Sequence, residues 1–247
     1  MMNSITPTPE RVIKLQGAYN VRDLGGYAAA DGRMTRWGQV YRADGLHKLS
    51  ELDQQELIAR GLAKVVDLRH DREIEEMKDV FAGSDRVAYH HVSLINPTST
   101  ANSSIRSLGD MYVGMLEQAH PSIRAVMELI AGEEQRAVLF HCTAGKDRTG
   151  VISGLLLQLA GVPDDIIIED YAMTSECIAP LMEELRAGRP EMVPAEMYEK
   201  FLGCDRDNMS MMLGYLQEAY GGAERYLLSI GVTEAQVASL KSKLLGQ

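Results

Sequence analysis

One short segment constrains the fold of this chain more than any other. The apolar residues 137–140 run directly into His-Cys-Thr-Ala-Gly-Lys-Asp-Arg-Thr-Gly at 141–150, and a largely apolar stretch continues to residue 160 before Gly161. The first run is typical of a buried strand, and the second, with leucines around most of its circumference, of a buried helix. A buried strand joined to a buried helix by a tight loop indicates a parallel α/β sheet.

The loop between that strand and that helix has the chemistry needed to bind and attack a phosphate ester. A loop that opens into a helix N-terminus directs backbone N–H groups and the positive end of the helix dipole at an anion. Arg148 adds a planar guanidinium that binds two phosphate oxygens, and this positive field favours the thiolate form of Cys142. A thiolate can attack phosphorus, and water can then hydrolyse the phosphocysteine. The residues predicted to hold the phosphate are Thr143, Ala144, Gly145, Lys146, Asp147 and Arg148.

Residues beside the cysteine and the arginine make this interpretation specific. His141 is expected to brace the loop through hydrogen bonds to the backbone, because a thiolate nucleophile needs no general base. Thr149 is expected to donate its hydroxyl to the sulfur of Cys142. A nucleotide-binding P-loop is excluded, because Val151 occupies the position at which that motif requires lysine. The remaining alternative is a buried cysteine in an ordinary strand–helix turn.

Residues 141–150 resemble the active-site loop of the atypical protein tyrosine phosphatases of bacteria and fungi, in which a Lys-Asp pair precedes the arginine. The resemblance covers most of the chain and weakens at residues 96–109 and 176–209. The other segments that carry it lie at residues 20–27, 41–44, 66–69, 170–171 and 220–227. It implies hydrolysis of phosphotyrosine without a metal or other cofactor. Phosphoserine, phosphothreonine or phosphoinositides are further substrates that it suggests.

Lys146 adds a second positive charge beside Arg148. An extra cation suits a substrate with more than one phosphate, such as a phosphoinositide, and this is the reading we favour. The alternative is that Lys146 only pairs with Asp147 or with another carboxylate.

Two carboxylic acids compete to protonate the leaving oxygen. Asp147 lies inside the loop, as in the myotubularin-like phosphoinositide phosphatases, and Asp67 ends a predicted central strand, where open parallel sheets build their sites. Asp67 could instead pair with Arg69 or orient Arg148. We favour Asp147 as the acid.

Three further residues are expected to support the site. Arg22 and Asp23 are predicted to form an ion pair close to it, and Asp44 to line the pocket or cap the following helix. The Met-rich residues 176–212 are predicted to form a helical lid or, equally, a helical insertion that packs in the core. No metal site is assigned.

Strands that alternate with helices predict one α/β domain over residues 1–247, with a central, mostly parallel sheet of four or five strands and a helical lid. A first strand is expected at residues 12–15, and a helix from the cap Ser50 to Gly61. A loop is expected at 96–107 and a helix at 213–230.

The amino-acid composition limits the kinds of molecule that this chain is expected to bind. The net charge of −10 argues against nucleic acid. No apolar run is long enough for integral association with a membrane, and the N-terminus lacks the pattern of a secretory signal, so a cytoplasmic location is expected. The alternative is secretion by a route that needs no signal peptide. The expected partner is a phosphorylated protein or a phosphoinositide. The alternatives are an inositol polyphosphate phosphatase, a sulfur-transfer enzyme or a phosphate-binding module without turnover.

Overall fold

A mostly parallel sheet organises the part of the chain that the computed structural model describes, which is residues 10–94, 107–133, 135–189, 191 and 193–246. Its strands are β1 (Arg22–Asp23), β2 (Val40–Ala43), β3 (Leu62–Asp67), β4 (Ala88–His91) and β5 (Ala137–His141). Their order is β1-β2-β5-β3-β4, and only β1 runs antiparallel to its neighbour. The predicted α/β class is confirmed.

The position of β5 explains where the site forms. The strand is buried throughout, with β2 on one side and β3 on the other. These three strands are parallel and in register, so that Ala43, His141 and Asp67 lie side by side at the carboxyl edge of the sheet. Open parallel sheets bind ligands at this edge.

Helices cover both faces of the sheet. In chain order they are α1 (Glu51–Ala59), α2 (Asp71–Glu76), α3 (Leu108–Gln118), α4 (His120–Ala131), α5 (Asp147–Leu159), α6 (Asp164–Ala172), α7 (Thr174–Cys177), a 3-10 turn (Ala179–Leu181), α8 (Met182–Ala187), α9 (Ala195–Leu202), α10 (Arg206–Tyr220), α11 (Ala223–Ser229) and α12 (Glu234–Leu245). The larger hydrophobic cluster joins one face of the sheet to α3, α4, α5, α6, α10, α11 and α12. The smaller cluster packs α1 against the other face.

Some helix boundaries were predictable from local chemistry and others were not. Ser50 caps α1 and forms the expected capping box with Asp53, and Gly61 follows the helix with a φ of +87°. The continuous helix predicted over 213–230 is wrong. Gly221 and Gly222 take φ values of +75° and +109° and separate α10 from α11.

The N-terminal region also differs from the prediction. Within residues 12–15, the expected strand is reduced to a single bridge between Val12 and Arg22, and the edge strand of the sheet is β1. Apart from Ser107, which caps α3, the predicted loop at 96–107 lies outside the described residues. No helix in the described ranges is long and apolar enough to cross a membrane.

Candidate active site

The loop between β5 and α5 forms the floor of a cleft of about 390 Å³. Cys142, the first residue after β5, lines this cleft and is only 2% exposed. Gly145 has a φ of +65°, and a Cβ atom there would lie 2.5 Å from the carbonyl oxygen of Ala43. The tight turn therefore requires glycine at this position. The structure places Cys142, Lys146, Asp147 and Arg148 around one cleft.

Hydrogen bonds from the neighbouring scaffold hold the carbonyl groups of the loop. Asn20 Nδ2 donates to the carbonyl oxygens of Ala144 and Gly145 at 2.9 and 3.1 Å. Arg42 Nη2 donates to the oxygen of Gly145 at 2.8 Å. Tying the carbonyl side of a loop to the scaffold leaves its N–H side for a bound anion, as in an anion-binding nest.

A buried carboxylate below the loop fixes the arginine of that scaffold. Asp170 on α6 pairs with Arg42, lies 3.6 Å from Arg22 Nε, and accepts a hydrogen bond from the hydroxyl of Tyr27 at 2.8 Å. Burial alone would raise the pKa of Asp170, but the two guanidinium groups hold it at about 2. The predicted ion pair between Arg22 and Asp23 is therefore not formed.

Two other aspartates support backbone near the loop. Asp23 accepts hydrogen bonds from the N–H groups of Gly25 and Gly38 at 2.8 and 2.7 Å. Asp44 lines the cleft and accepts from the N–H groups of Tyr19 and Asn20 at 3.0 and 2.9 Å. Burial raises the pKa of Asp44. Its predicted place beside the pocket is thus observed, whereas the helix that follows is capped by Ser50.

The guanidinium of Arg148 is held by a residue that the sequence did not single out. Glu73 on α2 accepts hydrogen bonds from Arg148 Nη1 and Nη2 at 2.6 and 2.9 Å, and the hydroxyl of Thr143 also donates to it. Burial would raise the pKa of Glu73, but Arg148 lowers it to about 2. The carboxylate is therefore charged and fixes the orientation of the arginine fork.

Lys146 does not extend into the open cleft. Its side chain is 3% exposed, and Nζ donates to the carbonyl oxygens of Phe201 and Gly203, the latter at 3.1 Å. The same atom lies 3.4 Å from Asp147 Oδ1. The ammonium group thus joins the loop to the C-terminal end of α9, where cations interact favourably with the helix dipole.

Asp147 combines access to the cleft with a specific buried contact. Its side chain is 19% exposed and lines the cleft beside Cys142. The hydroxyl of Tyr112 donates to Asp147 Oδ1 at 2.6 Å, and the hydroxyls of Tyr112 and Tyr171 are 2.7 Å apart. Tyr112 comes from α3, and nothing in its local sequence marks it as a site residue.

Asp67 is enclosed at the end of β3. Its side chain is fully buried, Arg69 Nη2 donates to it at 2.7 Å, and the hydroxyl of Tyr89 donates at 2.9 Å. Burial would raise the pKa of Asp67, but the charges of His141 and Arg69 hold it well below its usual range. The pairing with Arg69 that the sequence left open is thus present, and Asp67 does not line the cleft.

His141 braces the loop from below. Its Nδ1 lies 3.1 Å from the carbonyl oxygen of Cys142, and its Nε2 lies 3.0 Å from Asp79 Oδ2 and 3.6 Å from Asp67 Oδ2. Burial opposes a charge on the ring, but these two carboxylates raise the pKa of His141. The three side chains are close enough to hold a metal ion, yet Arg69 already binds both oxygens of Asp67.

Thr149 is placed differently from the expectation. Its hydroxyl is buried, and among the described residues it has no hydrogen-bond partner. The expected hydrogen bond to the sulfur of Cys142 is therefore absent in this arrangement.

The segment from α7 to α9 forms an apolar wall of the cleft. The side chains of this wall are Ile178, Leu181, Leu185, Tyr198, Phe201 and Leu202. At the rim, Lys48 Nζ lies 2.5 Å from Glu184 Oε2 of α8. The wall therefore offers aliphatic and aromatic surface above the loop that carries Cys142 and Arg148.

The methionines of the predicted lid lie elsewhere. Met209 and Met212 on α10 are buried in the core, and Met197 and Met211 are exposed. Met192 lies outside the described residues. The helix α10, which carries Met209, Met211 and Met212, packs against α3 and α6.

The strand–cysteine–arginine–helix loop at the carboxyl edge of a parallel sheet defines a cysteine-dependent phosphatase. The chain belongs to the tyrosine phosphatase family, whose profile it matches over residues 13–246. It is 37% identical over 215 residues to a tyrosine-protein phosphatase of Nostoc commune, an alignment that covers 82% of this chain and 73% of the relative.

Two further similarities are more distant. The triple specificity protein phosphatase PtpB of Mycobacterium tuberculosis is 28% identical, with 95% of this chain and 99% of the relative covered. Among solved structures, TpbA of Pseudomonas aeruginosa in complex with phosphotyrosine is 14% identical, with 84% of this chain and 98% of that chain covered and a TM-score of 0.42. The family and the N. commune relative make this chain a protein tyrosine phosphatase.

Proposed function

We propose that the chain hydrolyses phosphotyrosine with Cys142 as the nucleophile, Arg148 as the phosphate-binding cation and Asp147 as the general acid. One observation supports this assignment above all others. Asp147 lines the same cleft as Cys142 and Arg148, whereas Asp67 is enclosed by Arg69 and Tyr89 behind it.

The reaction runs in two steps. The thiolate of Cys142 attacks phosphorus, the bond from phosphorus to the tyrosine oxygen breaks, and Asp147 gives its proton to that oxygen. Water then attacks the phosphocysteine, Asp147 takes a proton from the water, and the thiolate leaves with release of inorganic phosphate. Arg148 and the backbone N–H groups of the loop stabilise the charge on the phosphoryl oxygens in both steps.

The other carboxyl groups near the loop suit the role of acid less well. Hydrogen bonds and charge lower the pKa of Asp67 and Glu73, so neither holds a proton at neutral pH. Asp44 accepts backbone N–H groups with both of its oxygens, which fixes it as a structural acceptor. Asp147 keeps a partly exposed carboxyl group beside the nucleophile.

The shape of the cleft favours an aryl phosphate. The apolar wall from α7 to α9 stands above the anion-binding floor, which suits a phenyl ring that enters phosphate first. A phosphoinositide or an inositol polyphosphate carries further phosphates, and Lys146 is the cation that was expected to meet them. Its ammonium is already bound by two carbonyl oxygens and lies beside Asp147. Phosphotyrosine is therefore the proposed main substrate.

The assignment of the nucleophile and of the acid is tested with four proteins and an aryl phosphate. Cys142→Ser should lose turnover and the phosphocysteine that acid quenching traps in the wild type. Asp147→Asn should lose the basic limb of the pH–rate profile and suffer least with activated leaving groups, whereas Asp67→Asn should keep that limb. Retention of the basic limb in Asp147→Asn, or its loss in Asp67→Asn, would refute the choice of acid.

Substrate class is tested by comparing kcat/KM for phosphotyrosine and phosphoserine peptides, phosphoinositides and inositol polyphosphates, each with and without a chelator. The proposal expects the phosphotyrosine peptides to be the best substrates and the chelator to have no effect. A higher kcat/KM for a polyphosphorylated lipid or inositol would favour the alternative substrate class. Absence of all turnover would favour a phosphate-binding module.

A further inference from the structure

We infer that Tyr112 is a positioning residue for the general acid, which directs the transferable proton to Oδ2 of Asp147. The inference rests on the proposed role of Asp147. It starts from the 2.6 Å hydrogen bond between the hydroxyl of Tyr112 and Asp147 Oδ1.

Two polar groups that contact the carboxyl group of Asp147 meet the same oxygen. Tyr112 donates to Oδ1, and Lys146 Nζ lies 3.4 Å from that atom. An oxygen that accepts one hydrogen bond and faces an ammonium is the poorer place for a proton. When Asp147 is protonated, the proton therefore resides on Oδ2. A general acid works best when its proton already points at the leaving group.

The direction of the hydrogen bonds is fixed by a buried chain of donors. Tyr112 donates its one proton to Asp147, so in the contact between the two hydroxyls, which are 2.7 Å apart, Tyr171 is the donor and Tyr112 the acceptor. Each hydroxyl has one proton, so this order satisfies every member.

Tyr112 remains a donor at any pH at which the enzyme works. Its side chain is fully buried, and burial together with the charge of Asp147 raises its pKa well above the usual value. The ionisable groups that face Asp147 from the surrounding elements are Lys146, Arg148, Tyr112, Tyr171, Tyr198 and Cys204. Among these, Tyr112 makes the hydrogen bond that selects one carboxyl oxygen over the other.

Tyr112→Phe is the direct test. Loss of the donor destabilises the carboxylate form of Asp147, so the basic limb of the kcat/KM profile should move to higher pH by about one unit. Without the hydrogen bond to Oδ1, the proton of Asp147 is no longer directed to Oδ2, so kcat for phosphotyrosine should fall roughly tenfold. The kcat for p-nitrophenyl phosphate should fall less, because a good leaving group needs little protonation.

Tyr226→Phe is the matched control. Tyr226 is also fully buried, and its hydroxyl donates to the carbonyl oxygen of Leu116 on the same helix α3 at 2.7 Å. Both variants should lose a similar amount of Tm, but only Tyr112→Phe should change the pH profile. If Tyr112→Phe folds poorly, Tyr171→Phe serves as the test variant instead. It removes the hydroxyl that contacts Tyr112, and the basic limb of the kcat/KM profile should again move to higher pH, but by less.

The double variant Tyr112→Phe/Asp147→Asn separates this inference from the proposed function. With Asp147 as the acid, Asp147→Asn alone loses the basic limb, and adding Tyr112→Phe should change the profile no further. A basic limb that survives in Asp147→Asn refutes the proposed acid. A different result overturns the role of Tyr112. In that result Asp147→Asn loses the basic limb, but Tyr112→Phe leaves the limb at its wild-type pH and lowers kcat equally for phosphotyrosine and p-nitrophenyl phosphate.

Discussion

The carboxylate of Glu73 and the guanidinium of Arg148 meet end to end, with N–H···O distances of 2.6 and 2.9 Å. The pair joins α2 to the first turn of α5 across the mouth of the loop. Two parallel hydrogen bonds fix the plane of the arginine as well as its position. Glu73 therefore sets the orientation of Arg148, the proposed phosphate-binding cation.

Replacing Glu73 with alanine should lower kcat/KM for phosphotyrosine roughly 100-fold, because a misdirected cation loses contacts that strengthen in the transition state. Glu76→Ala is the matched control, since Glu76 also lines the cleft but pairs with the exposed Arg72. Steady-state kinetics and inhibition by inorganic phosphate provide the measurements. Tighter phosphate binding in Glu73→Ala would show instead that Glu73 competes with the substrate.

Lys146 should act on the cleft wall rather than on substrate choice. Lys146→Ala removes the donor to Phe201 and Gly203, and the lost charge-assisted contacts should cost about 1–3 kcal/mol of stability. Proteolysis within residues 178–202 should become faster, and kcat/KM for phosphotyrosine and for a phosphoinositide should fall by similar factors.

The control for this variant is Lys48→Ala, which breaks the exposed contact to Glu184 on the same wall. Exposed ion pairs contribute about 0–1 kcal/mol, so its effects should be small. A selective loss of phosphoinositide turnover in Lys146→Ala would restore the reading that Lys146 meets a second phosphate.

Gly145 should be irreplaceable for a local geometric reason. Gly145→Ala places a Cβ atom 2.5 Å from the carbonyl oxygen of Ala43 at a φ of +65°. The loop must then shift, and kcat/KM should fall by roughly 100-fold or more. Gly61→Ala has a similar φ of +87° but meets no described atom within 4 Å. It should lose only about 1–2 kcal/mol of stability and no activity. Equal kinetics in the two variants would show that the loop tolerates the shift.

The sequence predicted those parts of the site that depend on local order along the chain. Cys142 and Arg148 lie on one short loop, so the tight turn of that loop is enough to bring them to the same cleft. The capping box of α1 likewise needs only Ser50 and Asp53. The partner of Arg22 could not be found this way. Neighbours on a strand point to opposite faces, so Arg22 cannot meet Asp23 and instead reaches Asp170 on α6.

Contacts between distant elements account for the other differences. Glu73 reaches Arg148 only because α2 follows the strand beside β5, and Tyr112 reaches Asp147 only because α3 packs near α5. The spacing of residues along the sequence does not indicate either of these two contacts. The cationic pattern of the loop also suggested a second phosphate, but it could not show that the end of α9 supplies acceptors for Lys146.

The pair of Arg42 and Asp170 should make stability depend on pH under acidic conditions. The pKa of Asp170 falls from its ordinary value of 3.8 to about 2 in the folded chain. A carboxyl group with a depressed pKa adds stability above the unfolded value, and this stability is lost as pH falls through the folded value. The pH window in which Asp170 loses this stabilising effect therefore lies between about pH 4 and pH 2.

At pH 7, Asp170→Asn should lower the free energy of unfolding by about 3–5 kcal/mol, because it leaves two buried guanidinium groups without their counter-charge. Denaturant unfolding measured at several pH values should show the difference between Asp170→Asn and the wild type narrowing across this window. A difference that stays constant from pH 7 to pH 2 would mean that the aspartate stabilises the scaffold through hydrogen bonds alone.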